Sequence, residues 1–309
     1  MQVLSSITHV ALFDLAESLR SKKALALLIL YLLGSIAAAV LFVALLTQVE
    51  ETVASEILAV ASSDKPGVLS ESLMESEQVL QMVTGLVGDP ALAAELLSIP
   101  LLALFYGWLS LTFLPLFAAL ISADTISAHL ADGSCRFVLF RIDRLSWALG
   151  TFFGQAMLMF GGIVLAGVGV WIVGFIGLNS FEPVETAWWI ARLGLRTQTY
   201  GMAFLGMVIG ASQMTRSVNG SQAMALLGLF GLGVGGAVTG SAWIQEWGTQ
   251  WGSFVPVIAQ SVHTLFPNAH RLTLWQPDLW TRLPGMLILM CLSVVYFSIG
   301  HRFLHKADT

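Results

Sequence analysis

Residues 147–178 read WALGTFFGQAMLMFGGIVLAGVGVWIVGFIGL, and this run of 32 residues contains no charged side chain. A helix needs about 20 consecutive apolar residues to cross the hydrocarbon core of a membrane. A water-soluble helix of this length would repeat polar residues along one face at the helical period. The run has no such face, so we predict that it forms a membrane-spanning helix.

The composition of the whole chain points the same way. Apolar residues make up 56% of the sequence and charged residues 11%, whereas soluble domains average about 45–50% and about 25%. The two cysteines, Cys135 and Cys291, are far apart in the sequence and form no metal-binding or disulfide pattern. We therefore predict an all-α, polytopic integral membrane protein.

Further apolar runs bring the number of predicted transmembrane helices to six. They cover about Ala24–Leu46, Ile99–Ile121, Trp147–Leu178, Tyr200–Ala211, Ala223–Val238 and Leu283–Ile299. The fourth and fifth runs are shorter than the bilayer core requires. We expect their ends to extend into the neighbouring polar residues.

The lysine and arginine residues predict the orientation of the spans. With the N-terminus in the cytoplasm, nine of the 14 Lys and Arg residues fall on the cytoplasmic side and five fall outside, as the positive-inside rule requires. Both termini are then cytoplasmic, and the expected location is the cell (inner) membrane. Residues 1–23 are predicted to form an amphipathic helix on the cytoplasmic leaflet, and residues 24–309 the six-helix transmembrane domain.

Two outer segments carry helical patterns of their own. Residues 48–97 are acidic and place apolar residues at roughly helical spacing, which predicts an extracytoplasmic helical segment. Seven of the ten tryptophans fall at the proposed outer boundary, as in an interfacial aromatic belt; a platform for a cofactor or sugar is the alternative. These tryptophans are Trp188, Trp189, Trp243, Trp247, Trp251, Trp275 and Trp280.

No motif in the sequence predicts an enzyme. The metalloprotease, serine-hydrolase and ATP-binding signatures H-E-x-x-H, G-x-S-x-G and G-x-x-x-x-G-K-[ST] do not occur, and the histidines are dispersed. An intramembrane enzyme is disfavoured, because the spans show no paired polar residues. The spans also hold no ionisable residue near their centres, which ion-coupled carriers need. We expect no cofactor on this chain and no nucleic-acid partner, and a separate protein as the source of energy.

Three segments carry a resemblance to a known family. Residues 123–146, ADTISAHLADGSCRFVLFRIDRLS, concentrate charged side chains between the second and third spans in the order Asp-x-Ile-(x)6-Gly-Ser-x-Arg-x-x-Leu. An amphipathic N-terminal helix ends in Leu-Arg-Ser before the first span, and SQMTRSVNGSQAMAL follows the fourth. In this order relative to six spans, the segments resemble those of type-2 ABC exporter permeases.

The resemblance implies that residues 123–146 form a cytoplasmic coupling loop, which docks on a separate ABC ATPase that binds ATP and Mg²⁺. The expected polar contacts are Asp124, Asp132, Arg136, Arg141 and Arg144, and the expected apolar anchors are Phe137 and Phe140. His129 and Ser134 stand where the family usually has Glu and Thr, which favours a dedicated ATPase. The alternative is that the arginines contact anionic membrane lipids, although lipid contact needs no aspartates.

The fifth span contains glycines four residues apart, which allow two helices to approach closely. They are Gly231 with Gly235, and Gly236 with Gly240. The resemblance implies two permease copies, in a homodimer, with the second and fifth spans at the seam. Packing within one subunit is the alternative.

These observations predict the transmembrane subunit of an ATP-driven exporter. The alternative is a membrane subunit that transmits the motion of the ATPase to an extracytoplasmic protein partner without moving a solute. Deletion of residues 48–97 separates the two, because that segment would hold the outer partner.

The topology can be tested with single cysteines placed in a chain whose own cysteines are replaced by serine. We expect cysteines at Ser134 and Thr215 to react with an impermeant thiol reagent only from the cytoplasmic side. Cysteines at Ser72 and Thr249 should react only from outside. Labelling of position 72 from the cytoplasm would invert the predicted orientation.

Overall fold

The computed structural model describes residues 2–57, 77–87, 89–178, 181–240, 254–276 and 278–306, and these ranges are helical without any β-strand. The predicted all-α class is confirmed for them. Trp243, Trp247 and Trp251, the labelling positions Ser72 and Thr249, and residues 58–76 of the predicted outer segment lie outside the described residues.

Twelve α-helices and two 3₁₀ helices make up the described ranges. The first six are α1 (Gln2–Arg20), α2 (Lys22–Ile57), α3 (Glu77–Val87), α4 (Pro90–Ser98), α5 (Leu101–Ser122) and α6 (Thr125–Ala131). The others are α7 (Cys135–Leu139), α8 (Arg144–Gly177), α9 (Pro183–Met214), α10 (Val218–Thr239), α11 (Phe254–His263) and α12 (Leu279–Lys306). The 3₁₀ helices are Pro267–His270 and Leu272–Trp275.

Five of the described helical segments are long and apolar enough to cross a membrane, which indicates a membrane protein. They are Lys22–Gln48, Leu101–Ala131, Arg144–Gly177, Val218–Thr239 and Leu279–Leu304. Each contains most or all of one predicted span. The fourth predicted span, Tyr200–Ala211, belongs to α9, which is not among the five.

Helix α9 differs from the five because it carries polar side chains and buries them. It packs against α5, α8, α10 and α12, so that most of its residues face other helices. Its buried polar residues are Thr186, Arg196, Thr197, Thr199, Ser212 and Gln213. A helix enclosed by protein on most sides can be less apolar than one that faces lipid, which explains the weaker hydropathy of its sequence.

Helices α9 and α12 lie backbone to backbone. A Cβ atom added at Gly206 would collide with the carbonyl oxygen of Ser293, and one added at Gly300 would collide with the backbone of Gly210. The Ser293 hydroxyl donates a hydrogen bond of 2.7 Å to the carbonyl oxygen of Met202. Small residues that allow such close approach are typical of helix pairs in membranes.

Helices α5, α8 and α10 also pack on α9, and α2 packs on α5 and α8. Leu193 and Gly201 of α9 face Gly107 and Leu114 of α5, so that these two helices run parallel. On α8, Gly169 lies against Ile36 of α2, and Gly167 lies against Ile190 of α9. Trp189 and Trp275 are buried in the bundle and Trp188 and Trp280 are exposed, so the aromatic residues of the outer end divide between core and surface.

The N-terminal helix α1 packs on the first turns of α8. Val10 lies against Gly150, and Ala11 and Asp14 lie against Gly154. The opposite face of α1 keeps its apolar side chains exposed, including Leu12 and Phe13. This two-sided pattern suits a helix that lies between the bundle and a lipid surface.

A glycine-to-alanine substitution tests the close contact between α9 and α12. We expect Gly206→Ala to lower the free energy of unfolding by about 1–3 kcal/mol, because the new methyl group meets backbone that cannot rotate away. The readout is the thermal unfolding temperature of the purified chain in detergent, followed by tryptophan fluorescence.

The matched control is Gly34→Ala on α2, where an added Cβ has nothing within 4 Å. This control should leave the unfolding temperature unchanged or raise it slightly, since alanine favours a helix more than glycine does. Equal destabilisation by the two substitutions would contradict the backbone contact.

Candidate functional site

The predicted coupling loop consists of α6, α7 and the turns around them. Gly133 joins the two short helices with φ +71°, a left-handed conformation that glycine adopts without strain. His129 Nδ1 and Ser134 Oγ share a hydrogen bond of 2.9 Å across this turn. The ring of His129 also meets the buried Trp147 edge-on. The loop is therefore a folded unit with its own internal contacts.

Helix α7 has an inner and an outer face. Cys135, Val138 and Leu139 are partly buried and pack against the main hydrophobic core. On the other side, the side chains of Phe137 and Phe140 are 77% and 86% exposed. Large apolar side chains exposed side by side are unfavourable in water and commonly mark an interaction site.

Three of the predicted polar contacts share this outer surface. Asp132, Arg136 and Arg141 are exposed around the two phenylalanines. We call the set Asp132, Arg136, Phe137, Phe140 and Arg141 the aromatic face. It combines two apolar anchors with charges of both signs, which is a composition suited to a protein partner.

Two residues that were predicted to contact the ATPase, Asp124 and Arg144, lie outside the aromatic face. The Asp124 carboxylate forms an ion pair of 2.6 Å with Lys23 Nζ at the start of α2. Arg144 is half-buried in the first turn of α8. Asp143 caps that helix, and its carboxylate accepts a hydrogen bond of 3.0 Å from the Ser146 amide. Asp124 thus fastens the loop to the bundle, outside the aromatic face.

Helix α6 is tied to the central helix by side-chain contacts that the sequence analysis missed. The Ser212 hydroxyl at the end of α9 accepts hydrogen bonds from the amides of Ile126 and Ser127, at 3.1 and 3.0 Å. The Ser221 hydroxyl in the first turn of α10 donates to the carbonyl oxygen of Ala123. Both serines belong to the stretch SQMTRSVNGSQAMAL that the resemblance had singled out. The loop is therefore hydrogen-bonded directly to α9 and α10.

The side-chain amide of Gln155 joins three helices at the end of the bundle that carries the loop. Gln155 Nε2 donates to Asp14 Oδ2 at 2.7 Å and to Ser18 Oγ at 2.9 Å, and Gln155 Oε1 accepts from Ser122 Oγ at 3.1 Å. The expectation that the spans hold no paired polar residues is wrong here. Gln155 is the only amide side chain in the uncharged run 147–178, and that isolation was the signal available in the sequence.

The carboxyl of Asp14 titrates far from its ordinary range. Burial against α8 raises its pKa from 3.8 to about 7, the hydrogen bond from Gln155 opposes this, and the nearby Glu17 adds to the increase. A buried carboxyl with few compensating charges holds its proton near neutral pH. The packing of α1 on α8 is therefore coupled to pH.

The predicted glycine pairs of α10 divide between two environments. Cβ atoms added at Gly235 and Gly236 would contact Phe266, and one added at Gly240 would contact His263. These three glycines make room for α11 and the first 3₁₀ helix within the chain. A Cβ atom added at Gly231 would meet no atom of the described part of the chain within 4 Å.

No family model matches the chain, and no curated protein matches it. Among the described residues, no group of three or more His, Cys, Asp or Glu side chains could hold a metal ion.

The titration of Asp14 has a measurable consequence. Its pKa is higher in the folded than in the unfolded chain, so stability is greatest below about pH 4 and falls as the pH rises through 7. We expect Asp14→Asn to be more stable than the wild-type chain at pH 8 by roughly 2–4 kcal/mol, and to lose most of the pH dependence between 5 and 8. Unfolding temperatures in detergent across this range measure both effects.

The control for this experiment is Asp132→Asn, which removes an exposed carboxyl on the aromatic face. This variant should keep the wild-type pH dependence. If Asp14→Asn also kept the wild-type slope, the coupling between Asp14 and the packing of α1 would be refuted.

Proposed function

We propose that the chain is the transmembrane permease subunit of an ATP-driven exporter of the type-2 ABC class, located in the cell (inner) membrane. The observation that carries the proposal is the aromatic face, held on a folded loop that is hydrogen-bonded to the central helix α9. The resemblance of the loop sequence to the coupling loops of such permeases supports the same function.

The proposal requires six spans, and the packing of α9 supports a sixth. Along α5 and α9, contacts run in parallel from Leu193 near one end of the bundle to Ser212 near the other. Helix α10 begins beside Ser212, because Ser221 bonds to Ala123. If α8 and α10 both cross the membrane in the same direction, the chain must return between them, and α9 is the segment that does so.

The end of the bundle that carries the loop has features of a cytoplasmic end. Lys23, Asp124, Gln155 and Ser212 form a polar layer at one end, and the aromatic face lies beyond this layer. Lysine and arginine residues are also concentrated on this side, as they are on the cytoplasmic side of membrane proteins. Both termini then lie in the cytoplasm, since α1 precedes the first span and α12 ends on the same side.

The chemistry of the aromatic face favours an ATPase over a lipid surface as its partner. Phe137 and Phe140 would fill apolar pockets, and the surrounding charges would orient the partner. Asp132 would be repelled by anionic lipid, whereas it can pair with a cation on a protein. Because α6 is bonded to Ser212 and Ser221, motion of a docked ATPase would reach α9 and α10.

A second copy of the chain has a surface to bind. Leu227 and Phe230 of α10 are exposed, and Cβ atoms added at Gly231 and Gly233 would meet no atom of the described residues within 4 Å. An open helix side with glycine and large apolar residues suits close packing against another helix in a membrane. We propose a homodimer with α10 at its seam.

Site-specific photocrosslinking tests the ATPase docking. A benzophenone amino acid placed at Phe137 or Phe140 in cells should yield a covalent adduct with a protein that binds ATP and contains a phosphate-binding loop. Arg136→Glu with Arg141→Glu should reduce the adduct by at least about tenfold, since charge reversal in an interface costs about 2–5 kcal/mol. Phe137→Ala, tested with the probe at Phe140, should reduce it without a change in net charge.

The matched control places the same probe at Val184, which is 84% exposed in the first turn of α9 at the opposite end of the bundle. This probe should not capture the ATP-binding protein. Adducts with phospholipid alone at Phe137 and Phe140 would support the lipid alternative and refute the coupling assignment.

A further inference from the structure

Three arginines gather at the end of the bundle opposite the aromatic face. Arg192 and Arg196 lie on α9 and Arg282 lies on α12, and Arg196 is close enough to both of the others to interact electrostatically. Arg196 is only 4% exposed. Because like charges that are removed from water repel one another strongly, such a group requires compensating anions.

The described residues supply only part of that compensation. Glu95 on α4 is the nearest acid, but its Oε1 lies 3.7 Å from Arg196 Nη2, beyond hydrogen-bond distance. Within the described ranges, Arg196 Nε, Nη1 and Nη2 and the neighbouring Thr197 hydroxyl have no hydrogen-bond partner. Asp278 is a second acid, and it interacts with Arg282. A buried guanidinium that donates no hydrogen bond is costly.

The position of this arginine cluster along the bundle indicates which kind of anion could compensate its positive charge. Gly206 of α9 lies against Ser293 of α12, which places Arg196 and Arg282 at nearly the same level. Residues 197–214 and 283–300 are uncharged. From Arg196 to Ser212 the helical rise is about 24 Å, comparable to the hydrocarbon core of about 30 Å. The cluster therefore lies at the boundary of the hydrocarbon core, at the end of the bundle away from the aromatic face, where the phosphates of lipids are found.

We propose that Arg192 and Arg282, with the buried positive charge of Arg196 behind them, bind a phosphate group at this boundary. Guanidinium groups match phosphate because two parallel N–H donors can bond two of its oxygens. Arg192 also stacks over the Trp189 ring at 4.6 Å, which holds it beside the site. The phosphate could belong to a phospholipid headgroup or to a soluble molecule. The proposal goes beyond the exporter function and needs only that the bundle crosses a membrane.

The test uses the purified full chain in detergent and follows its thermal unfolding. Phosphatidylglycerol should raise the unfolding temperature in a saturable manner, whereas diacylglycerol with the same acyl chains should not. Arg282→Gln should raise the apparent dissociation constant for phosphatidylglycerol about tenfold, as the loss of one charge-assisted contact predicts. Addition of inorganic phosphate at constant ionic strength shows whether a soluble phosphate also occupies the site.

Two further variants keep the test decisive, because Arg196 itself is buried and its replacement could prevent folding. Arg271→Gln removes an arginine that hydrogen-bonds Thr112 and is not part of the cluster, so the affinity should change less than twofold. Glu95→Gln removes the anion that competes with phosphate, so the affinity should rise severalfold. The proposal is overturned if diacylglycerol stabilises as well as phosphatidylglycerol, if Arg271→Gln weakens binding as much as Arg282→Gln, or if Glu95→Gln lowers the affinity.

Discussion

The backbone contact between α9 and α12 is the constraint around which the bundle is organised. Gly206, Gly210 and Gly300 bring the two helices together, and the Ser293 hydroxyl bonds across them. Because α9 is surrounded in this way, it can hold polar side chains that would be unfavourable against lipid. The neighbouring helices then take positions set by α9, since α5, α8 and α10 all pack on it.

Polar contacts concentrate at the two ends of this apolar bundle. At one end, Gln155 links α1, α5 and α8, and Ser212 holds the loop helix α6 to α9. At the other end, Arg196 and Glu95 are buried together with incomplete pairing. At the first of these ends, hydrogen bonds join separate helices, although both amide atoms of the buried Gln213 have no hydrogen-bond partner among the described residues. At the second end, the donors of Arg196 are unpaired among the described residues but enclosed, so that a ligand would meet the half-buried Arg192 and Arg282 first.

The aromatic face and the phosphate site are therefore different kinds of surface. Phe137 and Phe140 lie on a small folded unit that projects from the bundle, and a partner can reach them without any rearrangement. Arg196 lies inside the bundle and is accessible only through its less buried neighbours. Helix α9 carries Arg192 and Arg196, whereas the aromatic face is connected to α9 only through α6, which bonds to Ser212.

The sequence by itself determined that the chain is built for a membrane and where along the chain its exposed loop lies. A long uncharged run indicates a segment that contacts lipid, and a cluster of charges between two such runs indicates a loop outside the membrane. The five apolar segments and the charged loop at 123–146 could therefore be predicted from local pattern. Local pattern predicted only residues 200–211 of α9 as a span, because buried polar residues flank this short apolar run on both sides. It also assigned Asp124 to a partner, whereas the structure pairs it with Lys23, 101 residues away. Ion pairs, the Gln155 contacts and the arginine cluster join residues that are distant in sequence, so only the packing of the helices decided them.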